Sequence, residues 1–341
     1  MRKGLVAAAA GALMFVAGPA WACGGLIAPN GAVNLGRTTT LAGYVNGVER
    51  YITGFSFAGA GGEFGSIVPL PDVPTKVEKA GEWTLQRLQI EVQPPELALA
   101  GGDAAAGARL ESAKVILEAK VDSLDVTVLE GGATAVGRWA EDHGFLLPPD
   151  SPEVLRFYAR RSPIFMAVRF NAERAAEQGI AEGEATPVQV TIPTDDPWVP
   201  LRILSLGRQA EERVEADVFL LTERRPALLP LTDGLTLERS ESASSSLLAD
   251  LRSDERMEWV PTDGMWFSYL RLDSAAAVLT YDLAVDATGT GSPSVVDAGL
   301  ASVDVDVPAV GPRLAWVLGG FGGMLALAAA VIGAARLRTA R

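Results

Sequence analysis

The chain has 341 residues, 48% of them hydrophobic, and its 42 acids outnumber its 29 basic residues to leave a net charge of −13. Such a surface repels phosphate and anionic headgroups, which argues against nucleic acid as a partner. A lone cysteine, Cys23, excludes an intramolecular disulfide, and a lone histidine, His143, leaves a Ser-His-Asp triad one position to be built on.

In chain order, Arg2 and Lys3 form a positive start, Gly4 to Gly18 is uncharged and mostly apolar, and Ala20-Trp21-Ala22 sets small residues where a signal peptidase reads. Residues 1–22 therefore read as a signal peptide cut between Ala22 and Cys23. The apolar run is short for a membrane span. Residues 23–286 read as an exported domain large enough to rest on its own core. All 42 acids and 23 of the 29 basic residues lie between Cys23 and Pro312, so that part carries about −19.

Strands are expected at Arg37 to Val45 and Arg50 to Phe57, with Asn46-Gly47 as the hairpin turn between them, and at Gly65 to Leu70. Gly59 to Gly62 reads as a turn. The glycine-rich Gly101 to Gly107 reads as a loop, with a sub-boundary near 101–108. Leu124 to Leu129 alternates like a half-buried strand. A short helix follows, with Val136, Trp139 and Ala140 on one face and Gly144 as its cap. A second helix starts at Ser151-Pro152-Glu153, with Ser151 at the N-cap and Val154, Phe157 and Tyr158 as its apolar stripe.

Further strands are expected at Pro163 to Phe170, Thr186 to Ile192, Pro200 to Leu206 and Val214 to Thr222. A serine run leads into an amphipathic stretch within Glu241 to Leu251, and Met265 to Leu272 and Ala277 to Val285 close the domain. The fold class that follows is α+β, a mainly antiparallel sheet with two short helices near residues 134–160, plus a single C-terminal transmembrane helix. Residues 287–312 read as a linker or stalk. Residues 313–335 read as the membrane helix, since Leu314 to Ala335 is 22 residues without a charge. Residues 336–341, with Arg336, Arg338 and Arg341, read as a basic cytoplasmic tail. A sorting signal, later cut, is the variant reading of that end.

Chemistry is sparse. No cofactor is expected, because no Gly-Lys-Ser/Thr follows the glycine runs, and no Gly-x-Ser-x-Gly elbow occurs. His143 reads as a helix-end residue. Glu141-Asp142-His143 diverge by about 100° per residue on a helix and do not converge on a metal. Thr194-Asp195-Asp196-Pro197 reads as a turn rather than a calcium loop, and Asp304/Asp306 lack the spacing for one. Cys23 stays open between a passive or pairing residue, a lipid attachment point and an N-terminal nucleophile whose own amine serves as base.

Four stretches resemble the bacterial exported family known as domain of unknown function 2330. They are Cys23 to Gly25, Ile67 to Pro74, Asp125 to Pro148 and Thr186 to Leu204. The resemblance implies a signal peptide, an acidic exported domain and often a C-terminal membrane helix, and it implies no activity. Relatives often carry a second cysteine where this chain has Leu26-Ile27-Ala28, and often asparagine at the position of His143. The expected function is a membrane-anchored extracytoplasmic protein at the bacterial cell membrane, single-pass with its C-terminus cytoplasmic. Its role would be non-enzymatic, in binding or envelope assembly, with the membrane and an unidentified envelope protein as partners. The alternative is a hydrolase or transferase using Cys23, with acidic help from the Asp195-Asp196 turn.

Overall fold

Short apolar segments, punctuated by glycine, proline and Asx turns, dictate many brief strands rather than a few long elements. The computed structural model describes residues 25–27, 37–55, 65–92, 113–145, 147–179, 186–232, 234–289 and 291–301. The first elements are β1 (Gly25–Ile27), β2 (Thr38–Val45), β3 (Val48–Phe55), β4 (Gly65–Pro69), β5 (Lys76–Lys79), α1 (Thr84–Val92), β6 (Lys114–Val121) and β7 (Leu124–Glu130). Next come α2 (Ala133–Asp142), α3 (Ser151–Ala159), β8 (Ile164–Phe170), α4 (Ala172–Gln178), β9 (Thr186–Pro193) and β10 (Trp198–Val199). A 3-10 helix (Arg202–Ser205) leads to β11 (Arg213–Thr222), β12 (Ala227–Leu229), β13 (Leu235–Ser242), α5 (Ser245–Ser253), β14 (Trp266–Ala275) and β15 (Leu283–Asp286).

The strands form a seven-stranded sheet ordered β13-β14-β11-β2-β3-β9-β5, a five-stranded sheet ordered β1-β4-β8-β7-β6, and a small sheet β10-β15-β12. Every pairing among them is antiparallel except β11 with β2. The β2–β3 register follows from its turn. Asn46 and Gly47 both take positive φ, 52° and 73°, as a primed two-residue hairpin requires, and Val45 faces Val48. The edge strands β6 and β13 each carry a bulge, between Val115 and Leu117 and between Leu237 and Arg239, which blunts edge-to-edge pairing.

Alternation along the central strands sends side chains into two cores. Ala42 and Tyr51 join a large apolar cluster with both large sheets and helices α2 and α3. Leu41, Val45 and Ile52 face the other way, into a second cluster with Leu85 and Leu88 of α1 and Leu247, Leu248 and Leu251 of α5. The indole of Trp259 closes that second face. It hydrogen-bonds Gln189 at 3.1 Å and lies so close to Gly43 that a Cβ there would meet its Cη2 at 2.1 Å.

Several expectations are corrected. The described residues are mixed α+β with five α-helices, not two, and open sheets. No helix among them is long and apolar enough to cross a membrane, and the expected span 313–335 lies outside the described residues. The single-pass topology, the location at the cell membrane and the membrane as partner rested on that span and are not retained. Residues 1–22 and the tail arginines Arg336, Arg338 and Arg341 also lie outside the described residues.

Pro200 to Leu206 is not a strand, because side chains rather than a ladder take its backbone N–H groups: Asp282 accepts from Leu201 and Arg202, and the Tyr158 hydroxyl accepts from Ile203. Ser151 lies one residue inside α3, and Asp150 stands at the N-cap with its carboxylate turned to the Gly207 N–H. Of the stretch expected as a linker, residues 287–289 and 291–301 are described. Ala298 is buried and its carbonyl accepts from the Asp282 N–H at 3.1 Å.

Candidate functional site

Helix α2 has two stripes. Val136, Trp139 and Ala140 are buried, while Thr134, Gly137, Arg138 and Glu141 recur at i, i+3, i+4 and i+7 on another face. That face and Pro152, Leu155 and Arg156 of α3 line a groove of about 240 Å3, floored by Leu147 of the connection. Gly137 keeps the groove open, since a Cβ there would stand 3.4 Å from Leu147 Cδ1 and 4.0 Å from Leu155 Cδ1. Arg138 and Arg156 are exposed and make no ion pair or hydrogen bond among the described residues. Two guanidiniums on an apolar floor suit an anionic group attached to an apolar body. Glu141 on the same wall is an acceptor for a donor on such a ligand.

Both helices are held firmly. Helix α2 ends in a Schellman motif, with Gly144 N–H on the Glu141 carbonyl at 2.9 Å and Phe145 N–H on the Ala140 carbonyl at 3.0 Å. Gly144 takes φ +84° to allow it. Helix α3 is anchored from beneath by Tyr158, whose hydroxyl donates to Asp282 at 2.8 Å and accepts from Ile203 N–H at 2.8 Å. Burial, with the Asp282 charge second, lifts the Tyr158 hydroxyl well above its usual range. Asp282 also pairs with Arg161, whose guanidinium lies 4.2 Å from the Phe157 ring centre and 4.8 Å from that of Trp198. Asp282 and the Arg161 side chain are 0% and 2% exposed, and every Asp282 oxygen is occupied, so this cluster is a fastening rather than a reactive centre.

The residues singled out from sequence do not assemble there. Cys23 and Ala22 lie outside the described residues. The hydrolase or transferase reading through Cys23 is not retained, because no catalytic arrangement among the described residues supports it: Asp195 and Asp196 lie exposed on a turn. His143 is buried against Trp139, ring centres 3.9 Å apart, with Nδ1 2.6 Å from the Trp139 carbonyl. Among the described residues no three His, Cys, Asp or Glu side chains gather as a metal site. Sequence reasoning missed Arg138 and Arg156, although the polar stripe of α2 was visible at helical spacing. It also missed Asp282, a lone acid inside the apolar run Leu279 to Val285.

These features define a mixed α+β domain of mainly antiparallel sheets with a groove between two fastened helices. The chain belongs to the family described as an uncharacterized protein conserved in bacteria, DUF2330, whose model matches residues 18–229. No curated protein matches the chain. Among solved structures, a mutated baculovirus P35 after caspase cleavage is similar at 9% identity and a TM-score of 0.40, over 73% of this chain and 99% of that one. Baculovirus P35 is similar at 10% identity and a TM-score of 0.35, over 60% and 75%. Likenesses of this size carry no argument about this chain.

Proposed function

We propose that the domain is a recognition module whose α2–α3 groove takes a small ligand, or the end of a larger one, bearing an anionic group on an apolar body. The observation that carries this reading is the pair Arg138 and Arg156, unpaired among the described residues and flanking an apolar floor in a chain of net charge −13. Guanidiniums form bidentate, charge-assisted bonds to carboxylates and phosphates. A groove of about 240 Å3 is small for a drug-sized ligand and matches one side chain with its charged group.

Saturation-transfer NMR on the full chain, with N-acetylleucine as probe and N-acetylleucinamide as its uncharged control, tests the reading. Transfer to the acid should exceed transfer to the amide and disappear in the double variant Arg138→Ala, Arg156→Ala. Equal transfer to both probes, or transfer that survives the double variant, overturns the proposal.

A further inference from the structure

Glu49 is the second residue of β3, flanked by Tyr44 on β2 and Ile192 on β9. It is 1% exposed, and neither carboxylate oxygen has a hydrogen-bond partner among the described residues. A buried polar group without partners is costly, and an ionised one far more so. Just beyond it, the tip of the β2–β3 hairpin is clasped in three places. Tyr44 hydroxyl donates to the Thr194 carbonyl at 2.8 Å, Thr194 N–H donates to the Gly47 carbonyl at 3.2 Å, and Asn46 N–H donates to Glu223 at 3.1 Å.

The groups around the tip are acidic. Asp195, Glu49, Asp196 and Glu223 all act on the Tyr44 hydroxyl and, after burial, help push it above its usual range. Ile192 on β9 is apolar, and Arg50, next along β3, lies over the Trp259 ring on the opposite face. Among the described residues no cation acts on Glu49, whose carboxyl is shifted by burial alone.

We propose that Glu49 makes the hairpin tip a proton-operated latch, closed while its carboxyl is protonated and loosened when the carboxyl ionises in its buried, unpartnered setting. Burial lifts the carboxyl from 4.5 to about 8 in the closed state, while an opened tip returns it toward 4.5. The closed state thus holds a proton that the open state releases. Its advantage is complete below about 4.5 and is lost as pH rises to about 8, with opening made about tenfold easier per pH unit.

Hydrogen exchange of the full chain, wild type against Glu49→Gln at matched pH between about 5 and about 8, tests this, because the intrinsic base-catalysed rate cancels in the ratio. The ratio should climb about tenfold per pH unit for amides of residues 44–51 and 190–194, which should also exchange faster than β14 once intrinsic rates are removed. A flat ratio at the tip overturns the latch. So does equal protection of the tip and β14, because global unfolding also frees Glu49 and would alone give the same climb. Tip exchange in the wild type alone, corrected for intrinsic rates and followed over the same pH range, should climb in the same way and does not rely on the variant's folding. A corrected rate that stays level across that range overturns the latch as well.

Discussion

Asp282 collects four donors from two separate parts of the chain: the Tyr158 hydroxyl and Arg161 guanidinium from one, Leu201 N–H and Arg202 N–H from the other. Removing its charge would leave Arg161 buried and uncompensated, the situation in which buried pairs are most costly to break. Asp282→Asn should therefore lower stability by about 3–5 kcal/mol. Tyr158→Phe removes one hydroxyl and strands the Ile203 N–H, for a smaller loss of about 1–3 kcal/mol. Urea midpoints of the two variants check the ranking, and a milder effect for Asp282→Asn than for Tyr158→Phe would contradict it. Gly43 is constrained in a different way, by the Trp259 indole that occupies the space a side chain would need.

Helix α2 supplies a substitution that separates folding from binding. Gly137 has no positive φ, and an added methyl would make only ordinary contacts with Leu147 and Leu155. Gly137→Ala should thus hold or raise stability, by up to about 1 kcal/mol for alanine over glycine in a helix interior. The same methyl narrows the groove, so probe binding should fall while the thermal midpoint holds or rises. A fall in both would show that the glycine serves packing alone.

Elements with local causes were readable from sequence. The Asn46-Gly47 turn sets its own register, and α2 carries both its apolar stripe and its terminating Gly144 within Ala133 to Gly144, about three helical turns. Elements with remote causes were not. Helix α1 takes its N-terminal cap from Asp254, which accepts from the Trp83 and Thr84 N–H groups 171 and 170 residues away. The segment after Pro200 is diverted from a strand by Tyr158 and Asp282. Strand β13 is a half-exposed edge, so its charges and serines hide the alternation. The groove was half legible: Arg138 stands on a visible polar stripe, but Arg156 meets it only once α3 has folded back.

Taken whole, the domain is larger than the family match, which ends at Leu229, the last residue of β12. Beyond that point lie β14, which pairs along the whole of β11, as well as Asp254 and Asp282. A chain ending at Leu229 would leave β11 as an apolar edge strand, paired to β2 alone, with Val218, Phe219, Leu220 and Leu221 along it. Unpaired apolar edges template aggregation. Such a fragment should elute from size exclusion as soluble aggregate or lack cooperative thermal unfolding. A monomeric, cooperatively melting fragment would show that the last strands are dispensable.

The parallel contact between β2 and β11 bears on time as well as shape. The Arg37–Asp217 bond at its start closes a loop of 180 residues, and the chain entropy lost in that closure precedes any reward from packing. Strand β2 is thus translated early yet must wait for β11 to be made before the seven-stranded sheet can join. High contact order of this kind places folding in the milliseconds-to-seconds range or slower, and makes assembly of the sheet a late event on the ribosome.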